Sequence, residues 1–305
     1  MRMVLAALMI FALPLASAKD ALPPSPSETL TTLPLGKGLP VIVRVGLYFQ
    51  EVSTLDENAG TFEATVDMRL RWEDPRLRYP AQETPNGFKD HRGPQAEEIL
   101  NHIWSPGVSL ANLKGAPSFQ TTSVRIFPNG QVELMRRTTG VFSMSLDTAS
   151  FPFDRQSLAV DVTLRRETTG EANLVFLQED IDFSRAAADI RIEGWNPGPV
   201  TIRRDTRAGW YGEFHSALVV GLTVQRQSIK VVAPVFVPLL ASLLIPLLAI
   251  WMNKTEEGEF TVDAFELANV IIGGLFAVIA LNFTVNSEYR TVASGDNTVT
   301  RLFAL

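Results

Sequence analysis

Six residues of one apolar run are spaced to act together. Asn269, Gly273, Phe276, Ala280, Phe283 and Ser287 follow one another at intervals of 4, 3, 4, 3 and 4, so in a helix they share one face. The run Phe265–Ser287 has no charge from Leu267 onward, yet this face is polar or small at both ends and hydrophobic in the middle. Glu266 stands at one end and Glu288 at the other. A polar amide in hydrocarbon is costly unless it meets water or another helix. Repeated around an axis, the face offers a carboxylate ring, a polar ring and then a hydrophobic constriction that closes by dewetting, which is the chemistry of an ion path. It equally suits a membrane helix packed through small residues, with Asn as interhelical glue. Asn282 lies off the stripe and takes the glue role, while Gly273 widens or loosens the helix where it faces the axis. Spacing alone leaves both readings open.

A second group lies upstream. In Phe151-Pro152-Phe153-Asp154 an aromatic residue precedes proline, which favours a cis peptide and a tight turn. Asp154 has only Arg155 as a neighbouring cation and is free to pair elsewhere. An ordinary turn in a β-protein explains the tetrapeptide equally well. Charged residues also recur in the segment Phe62–Trp72, where Asp67, Arg69 and Arg71 fall on one face.

The elements that position these groups follow from patterning. Phe62, Ala64, Val66, Met68, Leu70 and Trp72 alternate with polar residues, as in a half-buried antiparallel strand. Ser123–Phe127 and Gln131–Met135 flank Pro128-Asn129-Gly130, a hairpin signal. Ser157–Leu164 and part of Ala217–Val224 alternate too. Short strands with turns about every 8–12 residues predict an all-β, immunoglobulin-like sandwich over 39–228. A loose lead-in rich in Pro, Ser and Thr is expected at 19–38. From Val231 to Met252 there is no charge, long enough for a membrane helix, and Pro234, Pro238 and Pro246 suit a packed helix in a bundle. A polar link, Asn253–Asp263, leads to the second span at 265–287, and Glu288–Asn297 reads as a hinge. The fold class expected is therefore a β-sandwich ectodomain followed, over 229–305, by an α-helical transmembrane domain.

Composition excludes several classes. With 46% hydrophobic residues and net charge -6, the chain lacks the basic face that nucleic acid requires. Arg2, the apolar stretch Val4–Leu15 and Ala16-Ser17-Ala18 read as a secretory signal peptide at 1–18, with an N-terminal anchor helix as the alternative. An exported chain with no cysteine has neither disulfides nor a thiolate metal site, which suits a bacterial periplasm. His91, His102 and His215 are not spaced as metal pairs, so no metal and no cofactor is expected. There is no nucleophile elbow, P-loop or dinucleotide fingerprint, which argues against an enzyme.

Taken in order, these pieces resemble the pentameric ligand-gated ion channels in their prokaryotic form. Trp72-Glu73-Asp74-Pro75-Arg76-Leu77 is similar to the family's W-x-D-x-x-L segment, and Trp104-Ser105-Pro106 with Asn112 to its W-x-P…N segment. Phe151-Pro152-Phe153-Asp154 resembles the core of the signature loop, whose cysteine positions are here Met144 and Leu158. Gly194-Trp195, Arg226 before the first span and Phe276–Phe283 of the second also fit. The resemblance implies a homopentamer of identical subunits in the bacterial inner membrane among membrane lipids, with the sandwich in the periplasm. It implies a pore lined by Glu266, Asn269, Gly273, Phe276, Ala280, Phe283 and Ser287. In that pore Glu266 selects for cations and Phe276 and Phe283 form the gate. Coupling is expected at Asp56, Glu57, Phe151, Pro152, Phe153, Asp154 and Arg226, with Asp154 and a carboxylate of the Asp56-Glu57 turn flanking Arg226. The agonist, a small molecule or protons, is expected at subunit interfaces.

Departures bear on the ligand. Ala111 and Asp67 stand where relatives often carry aromatics, and Arg165–Gly170 lacks one. The ligand residues expected are Asp67, Arg69, Arg136, Trp210 and Tyr211, with Phe214 nearby and Arg136 facing the ionic side of Asp67, Arg69 and Arg71 across the pocket. That set suits a charged or zwitterionic ligand such as a carboxylate. Family members have four membrane helices; here 298–305 reads as the start of the third and the fourth is absent. The rival is a membrane-anchored β-sandwich sensor or binding module without channel activity, to which a polar stripe in the second span is of no use.

Overall fold

The computed structural model describes residues 30–229, positions 240, 244 and 247, residues 255–256 and 259–260, and 264–288. The signal peptide, the first part of the lead-in, nearly all of the span 231–252, segment 289–297 and the third-helix start at 298–305 lie outside the described residues.

Among the described residues, ten strands form the two sheets of the sandwich. They are β1 (Val41–Asp56), β2 (Thr61–Glu73), β3 (Lys89–Arg92), β4 (Val108–Leu110), β5 (Phe119–Ile126), β6 (Gln131–Ser143), β7 (Arg155–Leu164), β8 (Ala172–Val175), β9 (Trp195–Ala208) and β10 (Phe214–Arg226). One sheet runs β3-β5-β6-β2-β1-β8 and the other β4-β7-β10-β9. Two short helices, α1 (Pro94–His102) and α2 (Gln178–Phe183), lie between strands in sequence. The expected sandwich is present.

Alternation builds the core. Phe62, Ala64, Val66, Met68, Leu70 and Trp72 of β2 are all buried, and Leu158, Val160, Val162, Leu218, Val220, Leu222 and Val224 of the second sheet belong to the same cluster. Full burial of such side chains contributes roughly 1.5–3 kcal/mol each. Strands are longer than the sequence suggests: β1 has 16 residues and β9 has 14. In β1 the register slips between Phe49 and Glu51 and again between Val52 and Thr54, so the alternation breaks while the strand continues.

The family-like segments tie the edges of this core. Trp72 and Trp104 pack edge to face with centroids 6.1 Å apart. Asn112 joins the sheets: its amide donates to Ser143 O at 2.9 Å and Ala159 O at 2.7 Å, and its carbonyl accepts from Asp161 N at 2.9 Å. Asp74 is fully buried and grips Arg76, which donates to Thr32 O at 2.7 Å. Leu30 N also donates to His102 O at 2.7 Å. The described end of the lead-in is therefore tied to the sandwich, against the expectation of a loose segment up to residue 38. Gly130 closes the β5–β6 hairpin at φ 82°, and a Cβ there would lie 2.6 Å from Asp74 O.

Candidate functional site

Arg226 is the last residue of β10, whose even-numbered side chains point inward from Ser216 on, so its guanidinium enters the end of the sandwich. Its Nε donates to Asp154 Oδ1 at 2.6 Å and its Nη2 to Asp154 Oδ2 at 3.1 Å. On the other edge Nη1 and Nη2 donate to the two Glu57 oxygens at 2.7 and 2.8 Å. Aromatic rings stand beside the guanidinium carbon, Trp195 at 4.2 Å and Phe151 at 4.9 Å. Arg226 and Asp154 side chains are 3% and 1% exposed, so water does not screen this pair. Burial works against the Arg226 charge, but hydrogen bonds to both carboxylates outweigh it and hold the pKa above the ordinary arginine value.

Three chain segments converge there. Glu57 lies in the turn between β1 and β2, while Asp56 instead accepts from Ala59 N at 2.9 Å and shapes that turn. Phe151–Asp154 belongs to the loop between β6 and β7, with Phe151 and Pro152 buried, a cis bond between them, and Phe153 65% exposed. Gln156, which sequence reading passed over, ties this loop. It donates to Asp147 O at 2.6 Å and Asp154 Oδ2 at 2.7 Å, and accepts from Asp147 N at 3.0 Å. Leu158 lies in the core, and Met144, partly buried, packs against that core.

The outward face of β2 is a second charged centre. Asp180 of α2, 1% exposed, meets Arg44 Nε at 2.9 Å, Arg69 Nη2 at 3.2 Å and Arg71 Nη2 at 3.3 Å. Glu179 binds Arg44 at 2.9 Å and Arg71 at 3.2 Å, and Phe183 lies 4.1 Å from the Arg69 guanidinium. Burial, then the neighbouring Arg71 charge, pulls the Arg69 pKa down, whereas a hydrogen bond from Arg44 holds Glu179 below the usual carboxylate value. Sequence reading missed Arg44, Glu179 and Asp180. The available signal was Gly46 inside β1: a Cβ there would lie 2.8 Å from the Phe183 ring, so glycine marks where α2 comes down on the strand.

The ligand residues are only partly brought together. Asp67 pairs with Arg137 at 2.7 and 2.8 Å, not with Arg136. Val132, Leu134, Arg136 and Thr138 face inward on β6, and the Asp67↔Arg137 register places Arg137 outward. Arg136 is expected opposite the outward face of β2, but in a strand one residue changes the face, and Arg137 takes that place. A hollow of about 460 Å³ lies beside this pair, lined also by Arg92, Thr121, Arg125 and Met135. Trp210 and Tyr211 sit at the β9–β10 tip, 95% and 93% exposed, on the other sheet from Asp67 and Arg69. They do not fold back on their own sandwich. His215 is satisfied, with its Nδ1 2.9 Å from Glu167 O.

The backbone is helical over Ala264–Glu288, which includes Glu266 and Ser287. Asn269, Gly273, Phe276, Ala280 and Phe283 are exposed in the single copy, but so are Ile271, Ile272, Leu275 and Ile279 on other faces. Among the described residues no helix is long and apolar enough to cross a membrane, and no cluster of His, Asp and Glu is placed to hold a metal.

Comparison with known proteins gives the class to which this sandwich belongs. Residues 31–228 match the family model of the neurotransmitter-gated ion-channel ligand binding domain, so the chain belongs to that family. It is 25% identical over 250 residues to the "Proton-gated ion channel" of Gloeobacter violaceus, covering 82% of this chain and 64% of that one. It is 25% identical over 270 residues to "Glycine receptor subunit beta" of Rattus norvegicus and of Homo sapiens, covering 85% of this chain and 49% of those. The chain thus spans less than two thirds of the length of these relatives.

Proposed function

We propose that this chain is a subunit of a homopentameric, cation-conducting ligand-gated channel in a bacterial inner membrane, with its sandwich in the periplasm. The observation that carries the reading is the Arg226 junction. A turn, a loop and the last strand of the sandwich are locked together by one buried cation, directly before the chain enters the apolar stretch Val231–Met252. Phe153, exposed on the same loop, presents an apolar contact to a neighbouring element. Paired charges at such a joint form an element whose equilibrium a ligand can bias.

In this reading the helix Ala264–Glu288 lines the pore. Glu266 sets the negative ring, Asn269, Gly273 and Ala280 face the axis, Phe276 and Phe283 gate, and Ser287 sits at the far end. The agonist site is completed between copies. Trp210 and Tyr211 of one copy close over the outward face of β2 in the next, where Asp67 and Arg69 stand. A carboxylate-bearing or zwitterionic molecule suits those charges. Protons suit the same carboxylates, and the similarity to a proton-gated channel supports them.

The test is current recorded across bilayers holding the full chain. Arg226→Lys keeps the charge and loses the two-sided fork. Evoked current should vanish while copies still assemble, and unchanged current sinks the coupling claim. Reversal potentials that follow chloride rather than sodium would refute the role given to Glu266.

A further inference from the structure

We propose that a wedge between β1 and β2, away from Trp210 and the Arg226 junction, is a binding site for a small organic carboxylate with an apolar body. The two strands separate there. β1 begins at Val41 and β2 runs to Glu73, yet their mutual ladder starts only at Arg44↔Arg71. Beyond that point each strand pairs away from the other, Val41–Arg44 with β8 and Arg71–Glu73 with β6. The opening holds a cavity of about 400 Å³, within the ~300–1,000 Å³ typical of small-molecule sites.

The chemistry of its walls selects the ligand. Pro34, Pro40, Val41 and Ile42 provide apolar surface, and Ile42 is 50% exposed. Three cations, Lys37, Arg44 and Arg71, line it; Arg44 and Arg71 also hold Glu179 and Asp180, and Lys37 meets the one carboxylate of the lining, Glu73. Lys37 and Glu73 meet at 2.6 Å across it, a contact 74% exposed on the lysine side and therefore readily exchanged. Lys37 is therefore the lining cation most free to turn to a ligand. Phosphate is a poor fit, since much of the wall is apolar and would gain nothing from it.

The experiment is titration of the purified full chain with benzoate, read by ligand-observed NMR, beside its neutral counterpart benzyl alcohol. Benzoate should bind at least about tenfold tighter than benzyl alcohol. Ile42→Trp fills the wedge from a half-exposed position that tolerates a larger side chain, and should weaken benzoate about tenfold or more. Lys37→Gln should weaken it by several-fold. Equal binding of benzoate by Ile42→Trp, equal affinity for the alcohol, or no benzoate binding at millimolar concentration overturns the proposal. Thermal melting of Ile42→Trp checks that the fold is kept. The readout is binding and not current, so this outcome and that of the channel reading are independent.

Discussion

Arg226 and Arg69 each bind an almost fully buried carboxylate, but their surroundings differ. Arg226 is 3% exposed, set between Trp195 and Phe151, and shared by two carboxylates. Arg69 is 15% exposed, is stacked on one ring, and competes with Arg44 and Arg71 for Asp180. The same side chain type is pushed in opposite directions: up for Arg226, where partners outweigh burial, and down for Arg69, where burial and a like charge win. The first arrangement is a fixed joint between segments. The second is a clasp holding α2 on the sheet, in which three arginines share Asp180 and Glu179.

The largest effect that distinguishes them is loss of the buried carboxylate. Asp154→Ala leaves Arg226 to Glu57 and removes an acceptor of Gln156, so it should cost about 3–5 kcal/mol of stability. Asp180→Ala also removes the acceptor of Leu177 N, but Arg44 and Arg71 keep the Glu179 carboxylate and Arg69 its carbonyl, so about 1–3 kcal/mol is expected. Chemical denaturation of the two variants decides the matter, and a larger loss at Asp180 reverses the comparison.

Salt and acid give smaller effects at the clasp. Exposed pairs are screened by salt, and Glu179 is 68% exposed. Hydrogen exchange of the Ile181–Ser184 amides should quicken between low and high salt, while that of Phe151 and Phe153 stays constant. The folded pKa of Glu179 is depressed by the Arg44 hydrogen bond. Its contribution is therefore present above the unfolded carboxylate value of about 4.3 and lost as pH falls through the folded value. Below about pH 4, α2 should loosen. The raised pKa of Arg226 acts with the opposite sign: its contribution is complete below the unfolded arginine value and fades only at higher, strongly alkaline pH. Equal salt sensitivity of exchange in α2 and in the Arg226 loop breaks the distinction.

The joint was legible in the sequence and the clasp was not, for physical reasons. Asp154 and Arg226 lie in motifs with fixed neighbours, and β2 alternates without interruption, so core, turn and cation could be placed. Asp180 sits in a six-residue helix with no apolar period, and three arginines from two strands reach it only through sheet register. Arg136 shows the limit more sharply. Val132 and Leu134 already put even positions inward, yet its charge suggested the outer face, and the register with β2 gave that face to Arg137. Charge is a poor guide where a long side chain can lie along a core edge and keep its head in water.

The smallest change in stability belongs to the residues proposed to meet the ligand. Trp210 and Tyr211 are 95% and 93% exposed, and their hairpin is closed by backbone contacts, with Gly209 N donating to Glu213 O at 2.8 Å. Rings so exposed add almost nothing to their own sandwich. Trp210→Ala should move stability by less than about 0.5 kcal/mol. Large aromatic side chains held in water are costly surface unless a partner covers them. If the partner is the next copy closing on an agonist, Trp210→Ala abolishes or strongly right-shifts the evoked response at unchanged stability. A substantial loss of stability in the isolated chain places the ring against its own sandwich, and a normal response removes the hairpin tip from the ligand site.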